Sequence, residues 1–419
     1  MKFINKSSNF LFLSYLALLS MLGFVATDMY LPAFKAIETS FSTSASQVAS
    51  SLTFFLAGLA IGQLLYGPLV QRIGKRNSLL VGLFLFGLSS YGIATSESML
   101  MFNICRFIQA IGACSAAVIW QAIVIDKYEA DEAQKVFTNI MPLVALSPAL
   151  APILGAFILE HGEWRNIFLI LTALAAGLMI ATRFWVKPEQ TTATSDDSGQ
   201  SSIGYLTMLK APKYVGNVLI FGACSAAFFS YLTLWPIVME MHGYEATEIG
   251  LSFIPQTIMF IVGGYLSKVL IRKVGAERTL SVLLMLFGTC VAAIAFSVLI
   301  IQAKSIWPLL TIFSVLAAAN GASYPIVVNC ALQVFKQCSA KAAGLQNFLQ
   351  ISLAFGASSI VALWASAGEV AIAIGILVSA VGVFLGYKVR QLDTWDGMSK
   401  KLTFPDPARI AFHKVKDED

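Results

Sequence analysis

Two residues in this chain carry charge where the surrounding sequence is hydrocarbon. Asp28 lies in the apolar run Phe10 to Phe34, within Gly23-Phe-Val-Ala-Thr-Asp-Met-Tyr-Leu-Pro-Ala-Phe34, and Arg106 lies in the apolar run 98–125. A charged side chain near the centre of a bilayer costs about 2.5–3.5 kcal/mol on insertion scales, so such residues face a protein interior, find partners and perform a task. A carboxyl that alternates between a buried setting and a cationic neighbour takes up and gives off a proton. Proton coupling is therefore the chemistry this pair predicts. The structural alternative is a static ion pair that ties two helices together.

The elements that must position the pair follow from composition. Of the 419 residues, 57% are hydrophobic and 12% charged, and the mean hydropathy is +0.76. That is too little charge to cover a soluble surface. Apolar runs of about 20 residues, the length of a helix that crosses a bilayer, recur along the chain. Alternating ten-residue segments of an outer-membrane barrel are absent. The predicted fold class is an all-α membrane protein with twelve transmembrane helices, at 10–34, 47–69, 77–95, 98–125, 136–159, 165–186, 214–239, 247–270, 279–302, 306–331, 341–366 and 369–389. The opening Met-Lys-Phe-Ile-Asn-Lys leads into the first run with no small-residue cleavage site, so that run reads as a retained span.

Charge sets the orientation. Of 28 Lys and Arg residues, Lys35, Arg165 and Lys304 fall in loops of one face, Arg106 is intramembrane, and the other 24 fall on the termini, the opposite loops and a polar stretch after the sixth span. The positive-inside rule places both termini and that stretch in the cytoplasm. The net charge of +5 then reports topology and gives no sign of nucleic-acid binding. With this orientation Asp28 lies about six residues, or ~9 Å, from the outer end of the first span. Arg106 lies about eight residues, or ~12 Å, into the fourth span from the same face, so the two depths agree.

A shift of 201 residues aligns Gly74–Gly87 with Gly275–Gly288, matching Gly74, Leu79, Val81, Leu83, Leu85, Phe86 and Gly87 to identical residues. Both segments follow a basic turn. The predicted organisation is a six-helix half over 1–186, a cytoplasmic linker over 187–213, a second six-helix half over 214–391 and a cytoplasmic tail over 392–419. Two such halves in parallel repeat form a transporter plan with its substrate site near the midplane. No nucleophile, metal cluster or paired acids suggest an enzyme. The six cysteines lack metal-ligand spacing, and no disulfide, metal or cofactor is expected. His161, His242 and His413 fall outside the predicted cavity, which excludes a histidine proton relay.

Several motifs carry a family resemblance. Gly67-Pro-Leu-Val-Gln-Arg-Ile-Gly-Lys-Arg76 resembles the loop 2–3 signature of the major facilitator superfamily, and Leu100-Met-Phe-Asn-Ile-Cys-Arg-Phe-Ile-Gln-Ala-Ile-Gly112 resembles its fourth-helix motif. Thr27-Asp-Met-Tyr-Leu-Pro32 resembles the first-helix signature of the Bcr/CflA drug-resistance subfamily. Ile140 to Pro152, Gly250 to Thr257 and Ala319 to Val328 are similar to gammaproteobacterial purine nucleoside transporters of that subfamily.

The resemblance implies a central cavity bordered by the helices of Asp28 and Arg106. It also implies a gating loop formed by Gly67, Gln71, Arg72, Gly74, Lys75 and Arg76, although Gln71 stands where the family usually has an acid. Pro148, Pro152 and Gly155 are candidates for a hinge in the fifth helix, since each proline lacks an N–H and crowds the preceding turn. Candidate substrate contacts in the cavity-lining spans are Tyr30, Gln109, Trp120, Gln121, Phe228, Tyr231, Gln256, Asn320, Tyr324, Asn329, Gln346, Asn347 and Gln350. Amides pair with a purine edge and rings stack on its face, so their number leans towards a polar substrate. Taken singly, each amide in a membrane helix more often bonds a neighbouring helix.

The expected function is proton-coupled secondary active transport of a small organic molecule across a bacterial inner membrane by alternating access. Drug-type efflux by antiport and purine nucleoside transport are the two substrate readings. An uncoupled facilitator or channel for a polar solute is the alternative. The expected partners are the substrate and the lipid bilayer, the energy source is the proton gradient, and the expected state is a monomer.

Overall fold

The structure, a computed structural model, describes residues 6–188, 203–244, 246–302 and 305–392. Lys304, most of the predicted linker and the predicted tail beyond Leu392 lie outside the described residues. Among the described residues every regular element is helical. The chain runs through α1 (Lys6–Asp28), α2 (Phe34–Ser40), α3 (Ala45–Ala94), α4 (Met99–Lys127), α5 (Ala130–His161), α6 (Trp164–Trp185) and α7 (Tyr205–Met208). It continues through α8 (Pro212–Met241), α9 (Ala246–Ser252), α10 (Ile254–Val274), α11 (Ala276–Ala295), α12 (Trp307–Val334), α13 (Ser339–Ala362) and α14 (Glu369–Val389).

Ten helical segments among the described residues are long and apolar enough to cross a bilayer, against the twelve predicted spans. The 50 residues of α3 contain two predicted spans, joined at Gly74, whose φ of 78° and ψ of 164° are not helical. The 32-residue α5 covers the predicted span 136–159. Gly275, which caps α11, has φ 82° and ψ 163°. This conformation is open essentially to glycine alone. The 201-residue repeat is thus present in the backbone as well as in the sequence.

The first predicted span is also divided. α1 ends at Asp28, a 3-10 turn covers Leu31–Ala33, and α2 begins at Phe34. Pro32 accounts for the break: it has no N–H for the Asp28 carbonyl, and in a continuing helix its ring would crowd that carbonyl. The same residue that interrupts the helix therefore puts the acid at its end.

Apolar side chains bury in two clusters. One gathers residues from Phe12 to Val218 together with Val328 to Leu345, and the other gathers residues from Ile220 to Val383. α3 packs on α4 and α6, and α1 on α4 and α5; α8 packs on α12, α13 and α14, and α10 on α12. Helices from the two parts of the chain meet where α13 crosses α3 and α4, and where α5 crosses α10 and α12.

Candidate functional site

Arg106 is fully buried on α4, a helix started by Ser98, whose Oγ accepts the Met101 N–H at 3.3 Å. Its Nη1 donates to the Ala26 carbonyl of α1 at 3.0 Å and to Gln109 Oε1 at 2.6 Å. Gln109 Nε2 in turn donates to Ser90 Oγ at 2.7 Å. The guanidinium lies between the rings of Tyr30, 4.1 Å away, and Phe55, 4.2 Å away. The Tyr30 hydroxyl is itself hydrogen-bonded to Ser51 Oγ at 3.0 Å. Planar stacking and a forked donor set of this kind suit arginine and not lysine.

Asp28 is half-buried in the last turn of α1. Arg106 is near enough to act on it electrostatically, yet no ion pair within 4.0 Å joins the two. Arg106 instead leaves Nε and Nη2 without a hydrogen-bond partner among the described residues. Among the described residues, a buried cation with unmet donors thus stands beside a carboxyl that no hydrogen bond or ion pair holds. Such an arrangement can exchange a proton while the neighbouring cation compensates the charge that appears.

The predicted substrate contacts divide into groups. Tyr231 stacks on Phe313 with centroids 3.6 Å apart and on Trp235 at 4.8 Å, and its hydroxyl accepts from Gln256 Nε2 at 2.7 Å. Asn320 Nδ2 donates to the Cys224 carbonyl at 3.3 Å, and Tyr324 accepts from Ser225 Oγ at 3.2 Å. Trp120 sets its edge against Phe137 at 5.3 Å. Phe228 and Gln350 are half-buried, and Phe228 lies 6.1 Å from Phe313.

The remaining amides join separate parts of the chain. Gln121 Nε2 donates to Asn347 Oδ1 at 3.2 Å, Gln346 Nε2 to Gln121 Oε1 at 3.4 Å, and Asn347 Nδ2 to the Ala117 carbonyl at 3.4 Å. Asn329 Nδ2 donates to the Ala130 carbonyl at 3.1 Å and to Gln134 Oε1 at 3.0 Å. Most of the amides that suggested a purine edge are occupied in binding helices to one another.

The gating-loop residues lie at the end of the molecule where these contacts gather. A Cβ on Gly67 would meet the Lys341 Cα at 2.7 Å and the Tyr205 hydroxyl at 2.9 Å, so only a bare backbone allows α3, α7 and α13 to converge there. Burial pushes the Tyr205 phenol up to about 12, which keeps it protonated as donor to the Leu64 carbonyl at 2.6 Å. Gln71 and Arg72 are exposed and Arg76 is buried. Lys75 pairs with Asp126 at the end of α4, and Asp126 Oδ1 also accepts from Ser339 Oγ at 2.8 Å. Lys336 and Glu129 approach to 3.6 Å at the same end.

Along α13 every residue from Ser339 to Asn347 is buried, whereas Ser352, Leu353, Gly356, Ser359 and Ile360 are exposed. The helices up to α6 and those from α8 onward therefore close together at this basic end and separate towards the other. Asp126, Gln134 and Ser339 were not among the sequence candidates. Asp126 directly follows the predicted span 98–125, and its place at the end of that apolar run was the available signal.

The hinge candidates lie in a helix that stays α-helical from Ala130 to His161 through both prolines. Gly155 has a definite contact. A Cβ there would collide with the Met29 carbonyl, so α5 lies directly against the break that ends α1.

Residues 16–359 match the model of the Major Facilitator Superfamily. The chain is 28% identical over 283 residues to the bicyclomycin resistance protein homolog of Haemophilus influenzae, covering 67% of this chain and 71% of that protein. It is 31% identical over 312 residues to the chloramphenicol resistance protein of Pseudomonas aeruginosa, covering 73% and 71%. Its fold superposes on the FucP transporter in the outward conformation with a TM-score of 0.72 at 15% identity, covering 91% of this chain and 98% of that one. The burial of one acid and one base among stacked helices, the closed basic end and these likenesses agree: the chain belongs to the Major Facilitator Superfamily and is a transporter, not an enzyme.

Proposed function

We propose that the protein exports drug-type small organic molecules by proton-coupled antiport. The observation that carries the coupling is the unlocked Asp28 beside Arg106, which has two unmet donors. A carboxyl already paired to the guanidinium would have no reason to exchange its proton with a passing substrate. In this reading α3 supplies two spans and α5 one, making twelve with the other nine helical segments, in two six-helix halves joined by the linker. The basic end faces the cytoplasm of a bacterial inner membrane and carries both termini, so the conformation described is open outward. Alternating access then consists of separating the halves at the basic end and closing them at the other, around a site near the midplane. The protein works as a monomer in this scheme.

The relatives named for bicyclomycin and chloramphenicol resistance support a drug-type substrate. The half-buried Phe228 and its ring neighbours suit an apolar molecule, and the amides that would read a purine are engaged between helices.

The test is uptake into proteoliposomes under an imposed pH gradient, with chloramphenicol and a cationic dye measured beside labelled adenosine and inosine. Gradient-dependent movement of the first pair, abolished by Asp28→Asn in protein that still inserts and folds, is the expected result. Nucleoside movement without drug movement would replace the substrate reading. Equal flux in wild type and Asp28→Asn would leave an uncoupled facilitator.

A further inference from the structure

At the basic end the last residues of α4 and α6 meet the start of α1. Lys127 ends α4 with its Nζ 3.5 Å from the centroid of Phe12 and 5.7 Å from that of Tyr128. Phe12 belongs to an aromatic wall with Tyr15 at 6.2 Å and Trp185 at 6.3 Å, and Tyr15 lies 5.1 Å from Trp185. The wall is pinned by a hydrogen bond between the Tyr15 hydroxyl and Thr182 Oγ1 at 2.7 Å.

The charges on this wall are unbalanced. Lys187 is close enough to Lys127 for the two to repel. Two neighbouring acids are directed elsewhere: Asp126 holds Lys75 and Ser339, and Glu129 faces Lys336. Among the described residues no carboxylate lies within ion-pair distance of Lys127 or Lys187. Beside the two ammonium groups the surface becomes hydrocarbon. Phe10, Leu11, Ile180 and Phe184 are 71%, 54%, 62% and 79% exposed on α1 and α6.

We propose that Lys127 and Lys187 bind the headgroup phosphate of an anionic phospholipid whose acyl chains lie along the exposed apolar faces of α1 and α6. Two like charges that repel each other, with no acid in ion-pair distance of either, are stabilised by an anion. A ligand with a phosphate above and hydrocarbon below fits both the charge and the outward apolar strip. Trp185, at the boundary, anchors the glycerol level in the manner of interfacial tryptophans.

The experiment titrates purified full-length protein in detergent with phospholipids brominated on their acyl chains, and reads the fluorescence lost in wild type but absent in Trp185→Phe. Phosphatidylglycerol should quench this component at a mole fraction about 5- to 30-fold lower than phosphatidylcholine does, given the attraction of two lysines. Lys127→Gln with Lys187→Gln should erase the preference, and Lys127→Arg with Lys187→Arg should retain it. If the double glutamine variant does not fold, Lys187→Gln alone must lower the preference, since Lys187 is exposed. Equal quenching by the two lipids overturns the proposal, as does a preference that survives the glutamine changes. Reversal by inorganic phosphate, but not by chloride of equal ionic strength, would also overturn it in favour of a free-anion site.

Discussion

Arg106 is held by shape as well as by charge. Two rings sandwich its guanidinium, and one nitrogen serves both a backbone carbonyl and Gln109. Lysine would keep the charge, but it could not fill this planar slot. Arg106→Lys should lose about 2 kcal/mol of desolvated cation–ring attraction and lower the unfolding temperature of the purified protein by a few degrees. Gradient-driven transport in the same variant should fall at least tenfold if the unmet donors serve Asp28. Full transport with lowered stability would reduce Arg106 to a packing residue. Asp28 differs because it holds nothing in place, so Asp28→Asn should remove coupling while leaving the unfolding temperature almost unchanged.

At the scale of elements, the break after α1 joins sequence to mechanism. Pro32 ends the helix at Asp28, and Gly155 lets α5 lie against the Met29 carbonyl just beyond it. Gly155→Ala places a methyl group in that contact and should cost about 1–3 kcal/mol of overpacking, seen as a lower unfolding temperature together with reduced transport. Pro32→Ala should act in the opposite sense. Restoring an N–H for the Asp28 carbonyl lets α1 continue, so the amide introduced at position 32 should be protected from exchange while coupled transport is lost. Transport that tolerates a continuous α1 would show that the break does not position the acid.

At the scale of the whole molecule, the closed end is sealed by polar contacts that can be exchanged for water. Asn329 alone supplies two bonds between α12 and the start of α5. Removing them with Asn329→Ala should cost the closed state about 2 kcal/mol at roughly 1 kcal/mol per bond, a shift of roughly 30-fold between conformations. Maleimide labelling of Cys338, which is half-buried beside the lock, should then quicken. An unchanged labelling rate would mean that apolar packing of α13 on α3 holds this end closed by itself.

Hydropathy, charge asymmetry and the glycine repeat are properties of local sequence, and each survives any rearrangement of neighbours. They determined the helical membrane class, the approximate spans and the basic end, and they singled out Asp28 and Arg106 as charges in apolar runs. The 201-residue shift even anticipated matching backbone angles at Gly74 and Gly275, because that conformation tolerates little but glycine. What an amide does, in contrast, depends on which helix faces it across the bundle. Gln121, Asn329 and Asn347 read equally well as ligand contacts until α13 and α12 were placed against α4 and α5. The same holds for Asp126, whose partners Lys75 and Ser339 lie 51 residues before it and 213 after it. Only the tertiary structure decided that Asp28 stands unpaired at a helix end. Pairing requires two side chains to meet, and matched depth in two separate spans does not ensure that they do.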